Sequence, residues 1–385
     1  MFCGIDWAEN HHDIAVVDDR GHVVAKRRIG DDAAGSRLLL QLLIEHGDTA
    51  KDPIPVAIET SRGLLVACLR ATGRPVYAIN PLSVSRYRER HTVARAKSDH
   101  ADAVVLANIL RTDAAAHRVL PADTELAQAI AVLARAGQDA AWHRQQMSNQ
   151  LRSLLREYFP AALDAFAGTK AGLASADART ILTAAPTPAV AAKLTKAQLR
   201  RLLITAGRQR NIDTWVQRLH STFRAEQLRQ LPRVEAAFGE QARALLLQLD
   251  ATCRAVEQLA AATDEAFTQH PDAATLTSFP GVGGLTAARI LAEIGDDRTR
   301  FADARSLRAY AGSAPVTRAS GKSLVIMQRK VKNQRLAAAG DRHPAALRNL
   351  FNRFLSQLHH CLATGQHYNP HRAFATTAAP PTAAA

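Results

Sequence analysis

Four acidic residues within the first 102 positions have the types and spacing that metal-dependent phosphate chemistry requires. Asp6 and Glu59 each follow an apolar run that is typical of a buried strand. Asp99 and Asp102 are three positions apart in a helical pattern, a spacing that places both carboxylates on one face of the helix. Carboxylate oxygens are the ligands that hard divalent cations prefer. The sequence therefore predicts a pocket that binds Mg²⁺ and acts on phosphate groups.

Each of these acids also has a purely structural explanation. Asp6 could simply end a strand, and Glu59 could complement the dipole of the helix that follows it. Asp99 and Asp102 come after Ser98 and could cap the start of their helix. The combination favours chemistry, because one acid lies in the first strand, one after the fourth, and a pair on the helix after the fifth.

The first 112 residues alternate short apolar strands with helical patterns. Three strands joined by tight turns, followed by alternating helices and strands, predict a mixed sheet flanked by helices. That order of elements is the one used by ribonuclease H and RuvC-like nucleases. The predicted strands are 2–8, 12–19, 22–28, 54–58 and 75–79, and the predicted helices are 33–46, 62–71 and 99–112.

Beyond residue 123 the strand signal disappears and long helices are predicted. Apolar residues recur every three or four positions near both ends of the segment 123–270, which indicates two long amphipathic helices. They could pack as an antiparallel pair or against another copy of the chain. The intervening stretch 160–234 is rich in alanine and broken by prolines, so shorter helices are expected there. The segment is interpreted as a structural arm or oligomerisation stalk.

Residues 275–353 change character again. A tight turn at Pro280–Gly283, between two helical patterns, is typical of a helix-hairpin-helix, although it could merely join two packed helices. Glycines there let the backbone approach a nucleic acid closely, and exposed N–H groups at the start of the second helix attract phosphate. A basic, turn-rich loop that contains Ser320 follows. The tail 373–385 is low in complexity and is predicted to be disordered.

The charge distribution points to a polyanionic partner. The chain has 49 Lys and Arg against 35 Asp and Glu, a formal net charge of +14. Residues 62–97 contain eight basic residues and only Glu89, and residues 305–353 contain eleven and only Asp341. A basic surface without a specific partner is the alternative interpretation. Four dispersed cysteines and the lack of a signal peptide or long apolar run predict a cytoplasmic protein.

Five segments, taken in order, resemble the insertion sequence 110 family of DEDD transposases, which are regarded as bridge-RNA-guided recombinases. The resemblance runs across most of residues 3–336, and the order of its motifs is specific. The segments are GIDWAENHHDIAVVD, VAIET, AKSDHADAVVLANILR, FPGVGGLTAARILAEIGD and RSLRAYAGSAPVTRASGKS.

The resemblance implies three parts and a disordered tail. It implies an α/β RuvC-like, ribonuclease H-like mixed-sheet domain at 1–120, a helical arm or coiled coil at 121–272, and an all-α helix-hairpin-helix transposase domain at 273–372. The tail is 373–385. It also makes Asp6, Glu59, Asp99 and Asp102 the magnesium-binding tetrad.

Ser320 is the nucleophile that the same resemblance implies, in a site assembled from two domains of different protomers. Alone, a serine between alanine and glycine is typical of a turn, and Ser313 and Ser323 are the competing candidates. Residues expected to contact nucleic acid are Gly281, Gly283, Arg318, Lys322, Arg329, Lys330 and Lys332.

The implied partners are donor and target DNA, a structured guide RNA encoded by the element, and further copies of the chain in a dimer or tetramer. The expected cofactor is Mg²⁺, no membrane is expected, and the expected location is the nucleoid. The resemblance thus predicts a recombinase that cuts and rejoins DNA. Two alternatives remain open at this point: a metal-dependent junction-resolving nuclease, and a non-catalytic RNA- or DNA-binding remnant of a decayed element.

Overall fold

The structure is a computed structural model, and it describes residues 1–91, 99–169, 171–313, 316–320, 323–327 and 345–373. The chain divides into two compact units, Met1–Ala122 and Asp123–Ala385. For a few residues at the ends of these ranges the backbone alone is described, namely 91, 99, 100, 316–320, 323–327, 345–349, 372 and 373.

The first unit is built on a mixed sheet of five strands. Its strand order is β3-β2-β1-β4-β5, with β1–β2 and β2–β3 antiparallel and β1–β4 and β4–β5 parallel. All five predicted strands are confirmed to within a few residues. The strands are β1 (Phe2–Trp7), β2 (His11–Val17), β3 (Val23–Gly30), β4 (Val56–Ile58) and β5 (Val76–Ala78).

Four helices cover the two faces of this sheet. Leucines of α1 and α2 pack with Ile5, Ile14 and Ile58 on one face, and α3 and α4 pack on the other face. The helices are α1 (Ala33–Glu45), α2 (Leu64–Ala71), α3 (Pro81–His91) and α4 (Asp99–Asp113). The three predicted helices are confirmed as α1, α2 and α4, whereas α3 is a helix that the sequence interpretation missed.

The start of α3 has a recognisable sequence signal. Pro81 is its first residue, where the missing N–H costs nothing, and the side chain of Asn80 accepts a hydrogen bond from the backbone N–H of Leu82 at 2.9 Å. Val84 is buried and Tyr87 packs beside it. The basic residues between Pro81 and His91 are thus carried by an amphipathic helix.

The second unit is dominated by two long helices, α5 (Glu125–Tyr158) and α11 (Pro232–Thr268). Tyr158 stacks on Phe238 with ring centroids 5.1 Å apart, whereas Ile130 shares a core cluster with Phe267. The end of α5 therefore meets the start of α11, and the two helices are antiparallel. This confirms the first of the two arrangements predicted for them.

Five short helices between α5 and α11 form a lobe on the Tyr158 end of this pair. Aromatic and aliphatic side chains, among them Phe159 and Phe223, join the lobe to the long helices in one core. The helices are α6 (Pro160–Ala165), α7 (Ala176–Ala184), α8 (Pro188–Ala191), α9 (Lys196–Thr205) and α10 (Ile212–Arg224). Two of these short helices, α6 and α8, and the long helix α11 begin at prolines, as the sequence indicates.

The opposite end of the long pair carries a smaller set of elements. Phe279, Leu291, Leu307 and Leu358 pack with Phe267 in a shared core. The elements are α12 (Ala273–Thr277), α13 (Gly284–Ile294), α14 (Ala304–Tyr310), β6 (Val316–Ser320), β7 (Ser323–Met327), α15 (Ala345–Thr364) and α16 (Pro370–Ala373). Since β6 and β7 pair as an antiparallel hairpin, the expectation of an all-α region here is wrong. Among the described residues, no helix is long and apolar enough to cross a membrane.

Hydrogen bonds to the carboxylates of Asp123 and Asp296 join the start of α5 to the segment after α13. The carboxylate of Asp296 accepts from the backbone N–H and the hydroxyl of Thr124 at 2.9 and 2.6 Å. Asp123 in turn accepts from the backbone N–H groups of Asp296 and Asp297 at 3.0 and 3.1 Å. The N-terminus of the long helix is thereby fixed to the segment that follows α13.

This junction makes the stability of the second unit depend on pH. Desolvation raises the pKa of Asp296, but hydrogen bonds from Thr124 and the contact with His270 outweigh it, and the pKa lies below its ordinary value of 3.8. A carboxyl group whose pKa is depressed in the folded state contributes its full stabilisation at pH values above its pKa in the unfolded chain. That contribution is lost as the pH falls through the pKa of the folded state. We expect Asp296→Asn to lower the free energy of unfolding by about 1–2 kcal/mol at neutral pH.

The difference between wild type and variant is expected to shrink on acidification below the unfolded pKa. Chemical denaturation of both proteins across a pH series measures this difference. A gap that stays constant from neutral to strongly acidic pH would contradict the assigned role of Asp296.

Candidate active site

Asp6 and Glu59 lie side by side at one end of the sheet. The parallel register pairs Ile5 of β1 with Ile58, the last residue of β4, so Asp6 and Glu59 each come directly after this pair. Because side chains alternate along a strand, Asp6 shares the face of Gly4, and Glu59 follows the end of β4 directly. The helix α4 covers the face of the sheet that carries Gly4 and Ala57. Asp6 and Glu59 are both half-buried.

Gly4 allows α4 to lie directly on β1. A Cβ atom at Gly4 would be 2.0 Å from the carbonyl oxygen of Ala103 and 2.5 Å from the amide nitrogen of Ala107. At the other end of the helix, the guanidinium of Arg111 lies close to Gly21, in the turn between β2 and β3. The helix α4 therefore runs antiparallel to β1, and its N-terminus lies at the end of the sheet that carries Asp6.

This direction brings the predicted acidic pair of α4 to the same end as Asp6 and Glu59. Asp102 is 5% exposed, and its carboxylate forms an ion pair with Arg88 of α3. Asp99 is the first residue of α4, and only its backbone is described. The structure thus places Asp6 and Asp102 at one end of one sheet face, with Glu59 directly after β4 at the same end and the backbone of Asp99 at the start of α4.

Asp13 is an acid of this region that the sequence interpretation missed. It lies directly opposite Asp6 in the antiparallel β1–β2 register, on the same face of the sheet. It is 2% exposed, and its two carboxylate oxygens accept from Nε and Nη2 of Arg28 at 3.0 and 2.7 Å. The signal was present in HHDIAVV, since an acid at an inward position of an apolar strand requires a partner.

The donor set fits a hard divalent cation in its chemistry, because all four predicted ligands supply carboxylate oxygen. Among the described side chains, however, no three Asp, Glu, His or Cys residues are close enough to hold a metal ion. The carboxylate of Asp102 is instead paired with the guanidinium of Arg88. Asp102 would have to exchange this arginine for the ion in order to act as a ligand.

Ser320 lies at the end of a strand, which corrects its predicted position in a turn-rich loop. It is the last residue of β6 and pairs in register with Ser323, the first residue of β7. The sequence carried this signal, because two runs rich in β-formers flank a short segment with glycine. The competing Ser313 is buried, and its hydroxyl donates to the carbonyl oxygen of Arg308 at 3.1 Å.

The predicted nucleic-acid contacts lie only partly within the described residues. Arg318 is in β6, where the backbone alone is described, and its register partner is Val325. Gly281 has a positive φ of 78°, and Gly283 is the N-cap residue of α13. A Cβ atom at either glycine would meet open space, so this turn is accessible to a partner. Outside the described residues lie Lys322, Arg329, Lys330 and Lys332.

Comparison with known proteins identifies the class of the chain. Residues 3–160 match a family model described as transposase, and residues 273–343 match one described as transposase of the IS116/IS110/IS902 family. A Streptomyces coelicolor protein, named as the mini-circle transposase for IS117, is 60% identical over 97% of both chains. An IS116 insertion-element protein of Streptomyces clavuligerus is 28% identical over 84% of this chain and 78% of its own.

The fold and the matches together define a transposase, an enzyme that cuts and rejoins DNA. The chain belongs to the IS110 family of insertion-sequence transposases.

Proposed function

We propose that this transposase exchanges DNA strands through a site that combines the acidic end of the first unit with Ser320 of the second. The observation that supports the proposal is the register of β1 and β4, whose last pair, Ile5 and Ile58, is followed directly by Asp6 and Glu59 at the end of the sheet where α4 begins. In this proposal Asp6, Glu59, Asp99 and Asp102 hold Mg²⁺. The bound ion neutralises charge on a phosphate and eases deprotonation of a hydroxyl group.

The residues of the chain would bind and orient the DNA phosphate for attack. The hydroxyl oxygen of Ser320 forms a bond to phosphorus, the bond from phosphorus to a sugar oxygen breaks, and that oxygen takes up a proton. Arg318 and Lys322 flank the serine in sequence and brace the phosphoryl oxygens. Since the phosphodiester is conserved as a phosphoserine ester, a second DNA end can reverse the step and be joined.

The remaining basic residues would hold the nucleic acids in place. The turn at Gly281 and Gly283 presents backbone N–H groups at the start of α13, as in a helix-hairpin-helix grip on a phosphate backbone. Arg329, Lys330 and Lys332 add charge downstream of the serine. A structured RNA encoded by the element pairs with donor and target DNA and supplies the choice of sequence. A dimer or tetramer, acting at the nucleoid in the cytoplasm, provides the acids and the serine from different copies.

The serine mechanism predicts a covalent protein–DNA product that depends on a single hydroxyl group. We expect wild type, incubated with Mg²⁺, donor and target DNA and RNA transcribed from the flanks of the element, to give this product on a denaturing gel. Ser320→Ala is expected to abolish it, because no other atom of the side chain can attack phosphorus. Ser323→Ala, the neighbouring serine across the hairpin, serves as the matched control and is expected to retain it.

The same experiment separates the alternative functions. Cleavage that persists in Ser320→Ala but is lost in Asp6→Asn would identify a metal-dependent junction nuclease without a serine intermediate. Salt-sensitive binding without any covalent product or cleavage in wild type would identify a non-catalytic remnant.

A further inference from the structure

A groove lined mainly by polar and charged side chains lies between α9 and α10 in the lobe of the second unit. Its volume is about 740 Å³, and its lining includes Lys196, Arg200 and Arg201 of α9 and Asp213 and Gln217 of α10. All five side chains are exposed. The groove is thus an open surface feature that a macromolecule can reach.

The segment that forms this groove is strongly basic. Residues 193–224 contain eight Lys and Arg and a single acid, Asp213, an imbalance equal to that of residues 62–97. That acid is already paired, because Arg200 across the groove donates to its carboxylate. The other cations of the segment therefore determine the potential of the groove.

Two of these arginines have structural roles. Arg208 forms an ion pair with the buried Asp177, and its guanidinium lies 4.4 Å from the centre of the Trp215 ring. Arg218 stacks on the same ring at 5.1 Å, and donates to the carbonyl oxygens of Asp164 and Ala167 at 3.0 Å. Both are committed to holding the lobe together.

Three other cations are placed to act on a partner. Lys196, Arg201 and Arg224 are exposed, and within the described part of the chain no ion pair is recorded for them. Gln217, His220 and Arg224 follow one another at helical spacing, so they share one face of α10. Desolvation and the nearby charges of Arg224 and Lys196 lower the pKa of His220. Gln217 lines the groove, and Arg224 lies two turns further along the same face of α10.

We propose that this groove binds the phosphate backbone of a nucleic acid through Lys196, Arg201 and Arg224. Phosphates spaced along a strand match several exposed cations along one groove, and each contact releases counterions. Glutamine and neutral histidine add hydrogen bonds to phosphate oxygens. The surface lies outside both basic stretches singled out from the sequence. The inference rests on the transposase function only in that the enzyme handles nucleic acid, and it is independent of Ser320 and of the metal.

The test is the salt dependence of binding by the full chain. We expect the triple variant Lys196→Gln, Arg201→Gln and Arg224→Gln to reduce the slope of log Kobs against log salt by about 0.9 for each lost contact with duplex DNA, or about 2–3 in all. Fluorescence anisotropy with a duplex DNA of arbitrary sequence and with a structured RNA, each across a salt series, measures the slopes. A reduced slope with one probe only identifies DNA or RNA as the ligand.

The matched control removes the same charge from exposed positions of the first unit, with Arg20→Gln, Arg37→Gln and Lys51→Gln. It is expected to leave the slope nearly unchanged. The variant Asp213→Asn should act in the opposite direction and strengthen binding, because it leaves Arg200 without its acid. Equal slopes for the two triple variants with both probes would overturn the proposal, as would tighter binding of an acidic peptide than of either nucleic acid.

Failure of this proposal is distinguishable from failure of the proposed function. The covalent product formed by Ser320 is read on a denaturing gel, whereas the groove is read from binding alone without catalysis. A wild type that forms the product while both triple variants give equal slopes would reject the groove and retain the recombinase.

Discussion

Replacing Gly4 with valine is expected to reduce the free energy of unfolding of the first unit by about 3 kcal/mol or more. A Cβ atom at this position would lie 2.0 and 2.5 Å from backbone atoms of Ala103 and Ala107. Backbone cannot rotate away as a flexible side chain can, so α4 would have to move off the sheet. That movement would open the tightly packed core around Leu106 and Leu110.

The choice of valine separates this effect from strand propensity. Valine favours strands more than glycine does, so propensity alone would stabilise the variant. Gly30→Ala at the end of β3 is the matched control, because the nearest atom to its Cβ is a side-chain oxygen of Asp32 at 3.4 Å. Chemical denaturation and limited proteolysis measure both variants. Similar stabilities for Gly4→Val and wild type would show that α4 does not depend on this close approach.

The second large effect is expected for Asp6→Asn, which should reduce strand exchange at least about 1000-fold. A ligand to the metal contributes several kcal/mol of transition-state stabilisation, and each 1.36 kcal/mol is worth a factor of ten. Folding should change little, because Asp6 is only half-buried and asparagine has nearly the same shape. DNA binding at low salt should also be retained. Rates are measured from joined DNA products at saturating Mg²⁺.

The variant Asp13→Asn is the natural comparison for Asp6→Asn. Asp13 lies directly opposite Asp6 in the strand pair, but its carboxylate is paired with Arg28. We expect this variant to lose about 1–2 kcal/mol of stability, a value reduced from that of a fully buried pair because Arg28 is half-exposed. Its activity per folded molecule should stay within about tenfold of wild type. The reverse pattern, with Asp13→Asn stable but inactive, would move the catalytic role from Asp6 to Asp13.

Much of the sheet could be predicted because its signals are local. Apolar runs such as those that end at Asp6 and Glu59 indicate strands directly, and helices with leucine on one face indicate their own buried side. The proximity of Asp6 to Glu59 also follows once β1 and β4 are known to pair, because each acid directly follows the paired residues Ile5 and Ile58. The pairing itself is not local, since 52 residues separate the two acids along the chain.

The features that were missed depend on contacts between distant segments. The roles of Arg28 and Arg88 emerge only when β2 and β3 pair and when α3 packs on α4. The approach of α4 to Gly4 has a similar origin, because a glycine within a strand could also mark a bulge. The hairpin β6–β7 is a different case, since its pattern was present but the glycine and basic residues around Ser320 were interpreted as a turn-rich loop.

The antiparallel pair of α5 and α11 separates the two proposed nucleic-acid contacts of the second unit by a fixed distance. With 34 residues, α5 is about 51 Å long at 1.5 Å per residue. The groove of α9 and α10 belongs to the lobe at one end of this pair, and the exposed turn before α13 lies beside the core at the other end. At 3.4 Å per base pair, a straight DNA duplex held at both places would have to extend over about 15 base pairs. The length of this helix would thus set a minimum size for a DNA duplex that contacts the proposed groove and the turn of one copy at the same time.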